Sequence, residues 1–175
     1  QKVYQSINNG GSWLPISANV NGTAAVREMT ISKSSPSIMF ATSGSSVFKS
    51  IDAGITWTSV TSGLPNRTIT SVSIYPTDAN LVFLTFSGFG AGKVYKSSNG
   101  GSTWVSISGN LPDTPINDIF IYPNNPGNPN TFFVATDMTV LEFESITNDA
   151  RVIAAYDIES DYKKAKVILL EENYR

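Results

Sequence analysis

The chain has 175 residues, 41% hydrophobic and only 15% charged, with a net charge of −2 and neither cysteine nor histidine. This excludes disulfides, thiolate and imidazole metal ligands and a histidine general base, and without a block of Lys and Arg to displace counterions it argues against nucleic-acid binding. No apolar run approaches the roughly 18 residues of a membrane-spanning helix, and neither a metal nor a cofactor is expected.

The chain opens on Gln1 without a signal-peptide pattern, as a mature or excised product would. VYQS at 3–6 is a short strand candidate and runs into SINNGGSW at 6–13. After the loop SANVNGT at 17–23, a first full unit is expected over about 24–60. It holds SIMFATS at 37–43, VFKS at 47–50 and SIDAGITW at 50–57. A second unit is expected over about 69–107. In it TSVSIYP alternates and is rich in β-branched residues, as a half-buried strand is. LVFLTFS at 81–87 is continuously apolar, which suits burial on both faces, and VYKS at 94–97 leads into SSNGGSTW at 97–104. A third unit is expected over about 115–156, with INDIFIYP at 116–123 and TFFVATD at 131–137. Its turn falls near 145, where Ser145 and Asn148 are present but the glycine and tryptophan are missing, so a degenerate turn or an altered last strand is expected.

These units are copies of one another. The three turn segments fit Ser-x-(Asp/Asn)-x-Gly-x-(Ser/Thr)-Trp and start at Ser6, Ser50 and Ser97, 44 and 47 residues apart. A period near 45 residues with four short strands and no helical pattern reads as a propeller blade. Asn8, Asp52 and Asn99 are placed to accept backbone N–H bonds two or so residues on. Gly10, Gly54 and Gly101 are expected to take a positive φ, and Trp13, Trp57 and Trp104 to fill the space between adjacent blades. That Asp and Asn interchange points to structure, because an amide can cap a turn but cannot replace a catalytic carboxylate.

The boxes resemble Asp-box, or bacterial neuraminidase, repeats, which decorate the β-propellers of sialidases, sortilin-type receptors, xyloglucan-degrading glycosidases and photosystem II assembly factors. The resemblance covers about residues 1–145, and LPDTPINDIFIYPNNPGNPNTFFVATD resembles linkers between boxes in secreted bacterial propellers. It implies an all-β fold with each box at the outer turn between the third and fourth strands, away from the ligand face. These families share the turn rather than the chemistry.

Three full blades and a half blade at 1–17 leave closure open, since propellers usually have at least four blades. The chain is read as a piece of a larger ring, as half of a pair (twice three and a half being seven), or as a small ring completed by its tail. Residues 141–175 hold 13 of the 26 charged side chains. Within 151–175, RVIAAYDI and AKVILLEE are strand-capable around ESDYKK, with a short amphipathic helix or a foreign segment as the alternative.

Ligands are expected on the face opposite the boxes, formed by the loops around 17–23, 43–46, 62–68, 87–93, 108–114 and 136–139. Its binding candidates are Arg67, Phe89, Lys93 and Met138. SGFGAGK at 87–93 lacks the pattern and the helix of a phosphate loop. Asp113, Asp118 and Asp137 are the carboxylates from which a glycosidase pair would be drawn. A sialidase, by the resemblance, would need three arginines and a tyrosine nucleophile, and the repeats offer only Arg27 and Arg67. The expected function is a non-catalytic secreted binding or scaffold module, bacterial in origin, for a protein or glycan. The alternatives are a fragment of a polysaccharide-degrading hydrolase, and a structural segment of a surface protein or filament that associates with further copies or blades.

Overall fold

The computed structural model describes residues 2–17, 19–22, 24–90, 92–123, 131–137, 139–144 and 149–155, the last two stretches through their backbone. Among the described residues there is no helix, and the strands form three four-stranded antiparallel sheets and one two-stranded sheet. The two-stranded sheet pairs β1 (Tyr4–Gln5) with β2 (Leu14–Pro15). The first four-stranded sheet is a meander of β3 (Glu28–Ile31), β4 (Met39–Ser43), β5 (Ser46–Ser50) and β6 (Thr58–Ser59). The second repeats it with β7 (Ile69–Ile74), β8 (Val82–Phe86), β9 (Val94–Ser97) and β10 (Val105–Ser106). The third holds β11 (Ile116–Tyr122), β12 (Thr131–Thr136), β13 (Thr139–Glu144) and β14 (Asp149–Ala155). This is the all-β propeller portion of three to four blades that the repeat predicts.

The core lies between the sheets rather than within one layer. Side chains alternate along a strand, so a strand inside a stack of blades buries both of its faces, and every residue of β4 and β8 is buried. Phe40 and Val47 face forward and pack on Ile69, Val72, Leu84, Phe86 and Trp104. Phe83 and Val94 repeat this against Ile116, Ile119, Phe132 and Val134. Ala41 and Phe48 face backward, onto Val3 and Val20. Each large apolar side chain so buried contributes roughly 1.5–3 kcal/mol.

Register breaks fall between Ile69 and Ser71 in β7 and between Ile116 and Asp118 in β11. Such bulges re-aim side chains. Thr70, in the first break, donates its hydroxyl to Ile116 O at 2.7 Å, tying the second sheet to the third. In the C-terminal region β14 pairs with β13 and ends at Ala155. The expected second tail strand, the turn around Ser145 and Asn148, and the binding candidate Met138 lie outside the described residues.

Candidate functional site

The box turns come first, because they set one face of the array. In each, the serine hydroxyl accepts the glycine N–H: Gly10 N to Ser6, Gly54 N to Ser50 and Gly101 N to Ser97, all at 2.8 Å. The hydroxyl proton goes to the next side chain, Asn8, Asp52 or Asn99. That side chain accepts an N–H four residues on, from Ser12, Thr56 or Thr103. The expected reach of about two residues is exceeded because the N–H two residues on, that of Gly10, Gly54 or Gly101, is already taken by the serine oxygen. The hydroxyl at the fourth position also explains the Asp/Asn interchange. Thr56 donates to Asp52 at 2.5 Å, whereas Thr103 accepts from Asn99 at 2.8 Å, because a hydroxyl serves either carboxylate or amide by rotating. These bonds, led by the Thr56 hydroxyl, hold the Asp52 carboxyl down at about 2. The positive φ at Gly10, Gly54 and Gly101 is +86°, +89° and +89°.

On the opposite face, four sequence candidates come together. Lys93 is 3% exposed. Its ammonium has three protons to donate and places them on Asp113 Oδ1 at 2.7 Å, Thr114 O at 2.7 Å and Pro112 O at 3.3 Å. Asp113 also accepts Gly90 N–H at 2.6 Å, and the Lys93 and Gly90 bonds, in that order, lower its pKa below the usual 3.8. Arg67 donates to Phe89 O at 3.1 Å and to Gly92 O. The backbone of Phe89, Gly90 and Gly92 is thus held by Arg67 and Asp113, while the Phe89 side chain stands 71% exposed. The Lys93 nitrogen lies 5.9 Å from the Phe89 ring centroid, and Arg67 stacks over Phe86 at 6.0 Å, both within cation–π range. Separately, Asn21, Ala24, Ala25, Arg27, Ser43 and Gly44 line an open groove of about 440 Å³.

The remaining carboxylates part company. Asp137 accepts from Asn117 at 2.7 Å. Asp118 instead lies on the first strand of its sheet with Ser71, whose hydroxyl reaches Asp118 Oδ1 at 2.7 Å and Glu28 Oε1 at 3.3 Å. Glu28 also accepts Val72 N–H at 2.7 Å. Three successive first strands are therefore joined by one hydroxyl between two carboxyls. Burial raises the Glu28 pKa above 4.5, the Asp118 charge adds to the rise, and the bonds from Val72 and Ser71 oppose it. Glu28 was not among the sequence candidates. Aligning the repeats finds it, since Glu28, Ser71 and Asp118 pair with Thr42, Thr85 and Ala135 at one register position of each sheet. No cluster of three or more acidic side chains able to hold a metal occurs among the described residues.

No curated protein matches the chain. An ancestral GH74 enzyme superposes with a TM-score of 0.69 at 21% identity, over 89% of this chain and 22% of that one. The GH74 xyloglucanase from Xanthomonas campestris superposes at 0.58 and 13% identity, over 73% and 22%. YCF48 bound to D1 peptide superposes at 0.58 and 14% identity, over 77% and 42%. The chain thus spans about a fifth of the length of the GH74 enzymes, and these likenesses show the propeller fold. The family model for sortilin, neurotensin receptor 3, matches residues 1–113, which include all three boxes and the Lys93–Asp113 clamp. The chain belongs to the Sortilin-Vps10 family.

Proposed function

We propose that these blades form part of an extracellular, non-catalytic recognition propeller that binds a protein or glycan ligand on the face opposite the boxes. One observation carries the reading. Phe89 is a large aromatic held 71% exposed on a loop whose backbone is fixed by Arg67 and Asp113. Fixing an exposed aromatic before contact lowers the entropy cost of binding, and buried aromatic anchors dominate binding energies. The clamp also supplies the bland explanation of Lys93 and Asp113, whose charges are spent on the loop. An extracellular setting is supported by the sortilin family match and by a likeness to the extracellular domain of a one-component system. Peptide recognition has a precedent on the fold in YCF48 bound to D1 peptide.

The test is a screen of the chain against a peptide array and a panel of xyloglucan oligosaccharides. Any binder found is then measured by calorimetry against Phe89→Ala. The expected result is a loss of about tenfold or more in affinity with an unchanged circular dichroism spectrum. No binder in either panel, or equal affinity of the variant, would overturn the proposal. The hydrolase alternative draws on the Glu28–Asp118 pair, and xyloglucan hydrolysis abolished by Glu28→Gln would favour it.

A further inference from the structure

Glu28 and Asp118 bring two carboxyls to one hydroxyl, that of Ser71. A hydroxyl carries no charge to set against theirs. The one ion pair among the described residues is Lys93–Asp113, so neither carboxyl has a cationic side chain as partner there. Ser71 is 3% exposed and Glu28 is half-buried. Charge held partly out of water is ordinarily paired with a counter-charge or a metal ion.

A second observation comes from Thr42. It is fully buried, and among the described residues its hydroxyl has no hydrogen-bond partner. Thr42 stands directly opposite Glu28 across β3 and β4, and side chains so opposed share a face with Cβ atoms about 4.5–5.5 Å apart. Glu28 crosses from that face to Ser71 and Val72, and Phe40, two residues before Thr42, packs from it against the second sheet. The orphaned hydroxyl is therefore aimed into the space beside the Glu28 carboxyl.

The repeats show why this hydroxyl lacks a partner. Its counterpart in the second sheet is Thr85, opposite Ser71, and the Thr70 hydroxyl lies 2.8 Å from that of Thr85. Thr70 precedes Ser71 as Arg27 precedes Glu28, and arginine has no hydroxyl to offer. In the third sheet Ala135, opposite Asp118, has no polar side-chain atom. Of the three sheets, the first alone sets an unmatched hydroxyl against a carboxyl at this position.

We propose that Glu28, Asp118, Ser71 and Thr42 form a calcium site at the junction of the three sheets. All four offer oxygen, and calcium takes six to eight oxygen ligands in flexible geometry, waters among them. Magnesium demands near-ideal octahedral geometry and fits such a set less well. The lack of histidine and cysteine removes zinc-type ligands and leaves an all-oxygen site untouched. Asp118 is exposed and opens the site to solvent. With only two carboxyls, the dissociation constant falls in the range of extracellular modules, about 10⁻⁴–10⁻³ M. The site is independent of the Phe89 reading.

The test is thermal melting of chelator-treated protein with calcium chloride titrated in, and magnesium chloride at equal ionic strength as the control. Calcium is expected to raise Tm with an apparent dissociation constant of about 10⁻⁴–10⁻³ M. Glu28→Gln and Asp118→Asn each weaken that affinity by about tenfold or more. Asp52→Asn, which removes an equal charge from a box, responds as the wild type does. Thr42→Val separates a ligand from a merely buried hydroxyl. In chelator it melts at or above the wild type, because the orphaned group is gone, and its calcium response is weakened. If Glu28→Gln fails to fold, Asp118→Asn and Thr42→Val decide. No rise in Tm up to about 10 mM calcium, an equal rise with magnesium, or an unchanged response in Asp118→Asn would each overturn the proposal. So would a crystal grown in calcium chloride that shows only a water between Thr42 and Glu28.

Discussion

The three box glycines offer a graded test of blade packing. They have nearly the same φ, +86° at Gly10 and +89° at Gly54 and Gly101. Alanine at any of them therefore carries a similar backbone penalty, roughly 1–2 kcal/mol for a left-handed residue. What differs is what the added methyl meets. At Gly10 it meets nothing within 4 Å. At Gly54 it meets Ile16 Cδ1 at 3.1 Å and Met39 Sδ at 3.3 Å, both near the ends of side chains that can swing aside. At Gly101 it meets Val60 Cγ2 at 3.0 Å, Phe40 Cε1 at 3.2 Å and Val60 Cβ at 3.3 Å. The optimum carbon separation is about 3.5–4.0 Å. A rotamer change cannot move Val60 Cβ, so relief requires a shift of the chain just beyond β6. Overpacking of that kind costs about 1–3 kcal/mol. The expected destabilisation is about 1–2 kcal/mol for Gly10→Ala and about 2–5 kcal/mol for Gly101→Ala, with Gly54→Ala between. At roughly 2–4 °C per kcal/mol for a chain of this size, Gly101→Ala should melt several degrees below Gly10→Ala. Urea denaturation followed by tryptophan fluorescence, with calorimetric melting, measures the series. Equal destabilisation of all three variants would refute the claim that neighbouring sheets close on the second and third boxes and not on the first.

Two further predictions concern pH. Asp52 has its pKa lowered from 3.8 to about 2. A depressed carboxylate contributes stability that is complete above its unfolded value and lost as pH falls through the folded one. Asp52→Asn, which copies Asn8 and Asn99, should fold normally and lack the part of the acid destabilisation that the wild type shows between about 4 and about 2. Urea midpoints across that range check this, and identical pH profiles would count against it. Glu28 has its pKa raised above 4.5, so the folded state holds its proton more tightly than the unfolded state does. The wild type should gain stability relative to Glu28→Gln as pH falls through the folded value toward 4.5, and gain nothing further below it. An unchanging difference between the two proteins from neutral pH downward would remove Asp118 and burial as the causes.

The amino-acid sequence determined what is local. Each box closes its hydrogen bonds within seven residues, from Ser6 to Ser12 in the first, so its residue types and spacing carry its geometry. Strand periodicity is local too, and the continuously apolar 81–87 stretch yields a strand buried along its whole length. What tertiary structure alone decided are contacts between separate repeats. Lys93 reads as a cation on a surface loop, yet it is buried because acceptors at 112–114, about twenty residues on, converge on it. Asp118 is a candidate carboxylate in the sequence, but nothing there joins it to Glu28 until Ser71, 43 residues from Glu28 and 47 from Asp118, stands between. Trp13 and Trp104 close the same motif with the same internal bonds, yet one is 62% exposed and the other 9%. The motif shapes the turn, but a tryptophan is buried only where another sheet lies against it, and that is a property of the stack rather than of any seven or eight residues.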